Sequence, residues 1–300
     1  MSSLAAHNRW EIPGIATFSE GPGGLTQLLI TSPLASARIF LHGAHVVEFQ
    51  PTGEAPVLFM SAESLFASGK AIRGGVPVIF PWFGAHSSRP ELPAHGFART
   101  SMWEVEALSA RPDGAVLVTL RLDPNAATRA LWPHEFILRH EIIVGTALEM
   151  TLVVENTSTA PLVFEEALHT YFAISDAREI AVRGLHGAEY IDKTDNQTCK
   201  REETDFLRFT SETDRVFLQT EAVCTLQDTQ TGRRIVVEKS GSASTVVWNP
   251  WIAKAAAMRD FGDDEWLHMC CVETANVATD AITLAAGATH RMAARLRAAH

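Results

Sequence analysis

Long apolar runs are missing from this 300-residue sequence. No stretch approaches the roughly 18–20 apolar residues that a membrane-spanning helix needs. The first residues, MSSLAAHNRWEIPG, lack a basic start followed by an apolar run, so no secretory leader is expected. Lys/Arg blocks are missing as well. With 25 basic and 35 acidic residues the net charge is −10, a poor basis for binding nucleic acid or an anionic membrane. An anionic ligand would have to be held by a local arginine site against the overall field. Cysteines number four, Cys199, Cys224, Cys270 and Cys271, with no CxxC among them. Adjacent cysteines rarely bridge each other, so reduced thiols and a cytoplasmic protein are expected. The metal-ligand spacings HxH and HExxH are absent, and the HxxH of His42 and His45, placed on a strand, would point its rings to opposite faces. No metal site is therefore expected. The GxSxG, Walker and dinucleotide fingerprints are also absent.

What remains is a chain of 46% hydrophobic residues, enough for a large core. Short β-branched and aromatic runs bounded by Gly, Pro, Asn and Asp recur at 25–30, 37–49, 115–122, 136–144, 148–156, 162–174, 223–228 and 234–240. Their spacing predicts antiparallel sheets in a large β-sandwich, and GTA between 136–144 and 148–156 predicts a hairpin. Helix is expected only at SAESLFA (61–67) and within PWIAKAAAMRDF (250–261). With no linker or internal repeat, one all-β domain over residues 1–300 is the simplest organisation.

Four segments carry candidate chemistry. AIRGGVPVIFPWFG (71–84) sets Arg73 and a Gly-Gly pair before apolar and aromatic residues with two prolines. Neither a buried strand nor a solvent loop suits that mixture, which leaves a loop packed on the core with one cation directed at something. The glycines are expected to let the backbone approach a ligand. In PAHGFART (93–100), His95 and Arg99 flank glycine and phenylalanine. A guanidinium fork in such a place suits phosphate or carboxylate, though a structural ion pair is the plain alternative. In EEALHTYFAI (165–174), alternation puts His169, Tyr171 and Ala173 on one strand face and Leu168, Thr170 and Phe172 on the other. An imidazole there is either a satisfied core histidine or a proton carrier. In MCCVETANV (269–277), Glu273 follows an apolar run, where it either turns out to water or serves as a desolvated base.

These segments, with ETDRVFLQ (212–219) and VVWNPWIAKAAAMRDFGDDEW (246–266), occur in an order that resembles the glucose-6-phosphate 1-epimerases, or hexose-6-phosphate mutarotases, of the aldose 1-epimerase superfamily. The resemblance runs from about residue 20 to 295. It implies a galactose-mutarotase type of β-sandwich and interconversion of the α and β anomers of a hexose 6-phosphate. It also implies His169 as general acid, Glu273 as general base, Arg73 and Arg99 as binders of the phosphate, Asp214 on the sugar hydroxyls and His95 near the anomeric end. Asp192 of YIDK is a weaker candidate for the aspartate role. Many relatives carry Gln where this chain has Ala94. The implied partner is a small sugar phosphate, handled by a monomer or weak dimer without metal, nucleotide or other cofactor. Two rivals stand beside this reading. A mutarotase of unphosphorylated aldoses such as galactose would not need two cations, and a non-catalytic carbohydrate-binding sandwich would not need both His169 and Glu273.

Overall fold

The computed structural model describes residues 4–299. Strands dominate, all paired antiparallel within their sheets. Nine strands form one sheet in the order Leu207–Arg208, Ile180–Arg183, Cys224–Asp228, Arg234–Ser240, Thr289–Ala299, Leu148–Asn156, Phe136–Val144, Val116–Leu122 and Glu104–Ala110. A second sheet runs Thr198–Arg201, Glu189–Asp192, Thr213–Phe217, Ser244–Asn249, Met269–Asn276, Glu166–Leu168 and Val78–Ile79, and Tyr171–Ala173 also pairs with Met269–Asn276. Ala16–Glu20, Thr26–Thr31, Ala35–Phe40 and His45–Pro51 make a four-stranded sheet, and Leu162–Phe164 pairs with Ile282–Leu284. The main core draws on both large sheets: Val118, Leu138, Leu152 and Leu296 of the first meet Leu168, Phe172, Val247 and Val272 of the second.

The hairpin forms as its sequence predicts, from Phe136↔Asn156 to Val144↔Leu148. Three expectations about the elements need correction. The run 37–49 is two strands, turned at Gly43 (φ 76°) and Ala44 (φ 48°), so His42 and His45 do not share a strand. Each meets a backbone carbonyl instead: His42 Nε2 that of Ala67 at 3.2 Å and His45 Nε2 that of Gly74 at 2.8 Å. The run 162–174 breaks into Leu162–Phe164, Glu166–Leu168 and Tyr171–Ala173. Residues 61–67 form turns rather than a helix. Ser61 Oγ accepts from the Glu63 amide at 3.1 Å and Ser64 Oγ from the Arg73 amide at 2.8 Å, so both hydroxyls bond backbone outside a helix. The helix expected within 250–261 is present as Trp251–Ala257.

The Gly74-Gly75 pair serves a different purpose from the one expected. A Cβ on Gly74 (φ 111°) would lie 2.6 Å from Met60 Cα, and one on Gly75 (φ 58°) would lie 2.3 Å from the Val46 carbonyl oxygen. The glycines admit neighbouring backbone, not a ligand. They seat Val76, Val78, Ile79, Phe80 and Trp82 as buried residues on the sheet edge and core.

Candidate active site

Strand alternation sorts the second sheet into two faces. Along Met269–Asn276, Cys270 and Val272 join the main core, while Cys271 and Glu273 point to the opposite side. The register aligns Asp214↔Trp248, Trp248↔Cys271 and Cys271↔Tyr171 in one row, and Val246↔Glu273 in the next. His169 lies between the two short strands that pair with Met269–Asn276, and its ring stacks on Tyr171 at 4.9 Å and 14°. Tyr171 therefore shares its face, as alternation predicts.

Apart from the fully buried Cys271, the side chains on this face line a cavity of about 320 Å³ with Arg73, Phe83, His95, Lys193, Lys254 and Met258. On its floor His169 Nε2 lies 3.3 Å from Glu273 Oε1, with the two side chains 10% and 1% exposed. His169 Nδ1 and Glu273 Oε2 are buried without hydrogen-bond partners. Burial pushes the Glu273 carboxyl well above the carboxylate range, and the Asp214 charge adds to the rise. Burial also pushes His169 well below the usual imidazole range, helped by Arg99 and Arg73. Both shifts favour an uncharged pair that shares one proton.

His95 takes a left-handed backbone (φ 67°) beside Gly96. Its Nδ1 accepts from the Gly84 amide at 3.3 Å, so its proton sits on Nε2. Its ring meets Phe83 at 4.8 Å and His169 at 5.7 Å, edge to face. Burial holds it well below the usual imidazole range, followed by the Arg99 charge, so it is a neutral donor.

The cations around the cavity differ in how far they are engaged. Arg73 is paired with Asp260, 3.0 Å from Nη2 to Oδ2, and donates from Nη1 to the Tyr171 hydroxyl at 3.0 Å. Lys254 meets Glu212 at 2.7 Å, and Lys193 lies 3.5 Å from Asp214 and over the Phe83 ring. Arg99 Nη2 donates to the Ala94 carbonyl at 2.8 Å, while its Nε is buried and unpartnered. Burial, then the Arg73 charge, pulls the Arg99 pKa down to about 10. A dianion beside it would relieve that cost.

The fold thus gathers His169, Glu273, Arg73, His95 and Asp214 around one cavity, with Arg99 bonded to the cavity-lining Ala94. Asp192 is not among the lining residues: it accepts from Thr194 Oγ1 at 2.6 Å and from Lys200 Nζ at 2.8 Å, anchoring a turn. Ala94 lines the cavity with no polar side chain to offer. Sequence reasoning missed Asp260, Lys193, Lys254 and Cys271. Lys193 and Asp260 both lie inside quoted motifs, YIDK and MRDF, yet nothing local marks their direction. Cys271 Sγ stands within 4.8 Å of ligand atoms of both His169 and Glu273.

An imidazole–carboxylate pair on one face of an antiparallel sandwich, with cations at its rim, is equipped to move protons on a small polar anion. The sequence pattern of the family described as aldose 1-epimerase matches residues 26–297, and the chain belongs to that family. A relative from Cenchrus ciliaris, provisionally named glucose-6-phosphate 1-epimerase, is 36% identical over 265 residues, 85% of this chain and 80% of its own. One from Escherichia coli with the same provisional name is 37% identical over 252 residues, 84% and 83% of the two chains. A provisional mutarotase structure from Salmonella typhimurium superposes with a TM-score of 0.90 at 32% identity, covering 96% of this chain and 95% of the other. A galactose mutarotase-like protein from Clostridium acetobutylicum shares the fold at a TM-score of 0.72 and 15% identity, covering 95% and 98%.

Proposed function

We propose that this protein is a mutarotase interconverting the α and β anomers of hexose 6-phosphates, chiefly D-glucose 6-phosphate. The observation that carries the reading is the buried His169–Glu273 pair at 3.3 Å facing a cavity ringed by cations. Ring opening takes a proton from the C1 hydroxyl and gives one to the ring oxygen. C1 then turns about its bond to C2, and closure returns both protons on the other face. Glu273 serves as the base and His169 as the acid in opening, and they exchange roles in closing. The pair ends each half-reaction with the same number of protons, so no metal, nucleotide or covalent adduct has to balance the step. His95 Nε2–H is a donor beside the pair, and Asp214 is an acceptor for sugar hydroxyls.

Arg99, without a carboxylate partner, is the arginine best placed to gain from a phosphate. Arg73, held by Asp260 and Tyr171, supports the wall. A bound dianion does more than anchor the sugar. Arg99 and Arg73 both lower the His169 pKa and Arg99 lowers that of Glu273 too, so neutralising them makes both groups of the pair readier to hold a proton, which is what His169 needs as the acid of the opening step. Three free, buried thiols fit a cytoplasmic location, and we take the enzyme to act as a monomer or weak dimer.

Polarimetry on freshly dissolved α-D-glucose 6-phosphate tests the proposal. The protein should speed the approach to the equilibrium rotation in chelator-treated buffer, with galactose responding far less. Equal rates on galactose and glucose 6-phosphate would favour the unphosphorylated-aldose reading. No acceleration of either would leave a carbohydrate-binding sandwich.

A further inference from the structure

The catalytic pair has a third chemical neighbour that mutarotation does not use. Cys271 lies two residues before Glu273 on the same strand face and is fully buried. Its Sγ, a His169 ring nitrogen and a Glu273 oxygen all lie within 4.8 Å of one another, the three-residue grouping of this kind found among the described residues. His169 Nδ1 and Glu273 Oε2 are buried without partners, so lone pairs in the cluster are uncommitted. Elsewhere, His42, His45 and His140 spend a ring nitrogen on a backbone carbonyl.

We propose that His169, Cys271 and Glu273 form a site for a thiophilic divalent cation, zinc above all, whose occupation switches the enzyme off. Sulfur, imidazole nitrogen and carboxylate oxygen are the donors zinc takes, and three protein ligands leave a fourth position open toward the cavity. Zinc bonds of about 2.0–2.3 Å set tetrahedral edges of about 3.3–3.8 Å. The cluster has to contract modestly to reach them, a movement within reach of side-chain torsions. Binding displaces the thiol proton and the proton shared by the pair to solvent. The metal then holds the lone pairs with which His169 and Glu273 would exchange protons with the sugar. The inhibition, though not the site, rests on the mutarotase reading.

The test uses metal-free full-length protein in a Cys199→Ser background, which removes the exposed thiol. Cobalt should bind at one ion per chain with a thiolate-to-metal charge-transfer absorption, and zinc should inhibit mutarotation reversibly, with full recovery on adding chelator. Cys271→Ser and Cys271→Ala should keep turnover, lose the charge-transfer band and require at least ~10-fold more zinc for half-inhibition, a shift of about 1.4 kcal/mol. Absence of the band at saturating cobalt overturns the site, as does equal zinc inhibition with and without Cys271. If metal-free protein shows no mutarotation, the functional reading fails, while the cobalt band still decides the site.

Discussion

Two histidine–glutamate pairs have buried carboxylates on neighbouring strands of the second sheet and differ in almost everything that matters. Glu166 and His290 meet at 2.8 Å, and Asn276 Nδ2 donates to the same oxygen at 2.9 Å while also holding the Gly241 carbonyl. Glu273 and His169 meet at 3.3 Å with no third group closing the contact. Glu166 lies on the core side, where it shares a strand face with Leu168, and Glu273 lies on the cavity side. In the sequence both are carboxylates in apolar strands. Burying a carboxylate beside an imidazole therefore does not make a catalytic site. Glu166 Oε2 and Glu273 Oε2 are both buried without a partner, so what separates the candidate proton carrier from the structural clasp is that it opens to a cavity and lacks a third group such as Asn276.

The largest expected effect tests the two pairs against each other. Glu273→Gln and His169→Asn should each lower kcat by ~100- to 10,000-fold, the range for acid–base groups, with the double variant losing much less than the product. Glu166→Gln should retain near-normal turnover, and a comparable loss there would erase the distinction. In stability the order reverses. Glu166→Ala leaves His290 and Asn276 facing a void and should lower the unfolding free energy by about 3–5 kcal/mol, read by denaturant titration. A cost no larger than that of Glu273→Ala would show that the clasp is not one.

Histidines that meet only a carbonyl sharpen the comparison. Burial lowers His140 to about 4 and His45 to about 3, from an ordinary value of 6.5. A depressed folded-state pKa means that the unfolded chain takes up the proton first as pH falls. The stability these neutral rings contribute is thus present above pH 6.5 and drains away down to about pH 4 for His140 and 3 for His45. For His140 the loss over that window is about 3 kcal/mol. His140→Gln, which can still donate to the Ala44 carbonyl, should flatten the decline between pH 6.5 and 4 by that amount. Parallel curves for variant and wild type would show that His140 is not a source of the acid sensitivity.

The smallest effect concerns the cations. Arg99→Ala should reduce kcat/KM for glucose 6-phosphate by about 10- to 100-fold while barely changing the slow turnover of free glucose, since each hydrogen bond to a charged group contributes roughly 1.5–3 kcal/mol. Arg99→Lys should recover only part, lacking the bidentate fork. Arg73→Ala, which strands Asp260, should instead depress both substrates and lower Tm. Equal losses on both sugars for both variants would make the two arginines structural and end the claim of phosphate selection.

What the sequence by itself determined is local. Alternation put His169 and Tyr171 on one face, the GTA turn fixed the 136–156 hairpin, and the ordered motifs carried the family resemblance. Those inferences hold because a pleated strand repeats every two residues and a tight turn sets its own register. Only the tertiary structure decided which distant groups meet. It gave Arg73 to Asp260, left Arg99 with a backbone carbonyl, turned Gly74 and Gly75 toward backbone, and brought Cys271 to the His169–Glu273 pair. It also closed one histidine–glutamate pair with Asn276 and opened the other to a cavity. The reason is that partners across a sheet are fixed by hydrogen-bond registers between remote strands, and by which face each strand gives to the core. No stretch of sequence short enough to read on its own contains either.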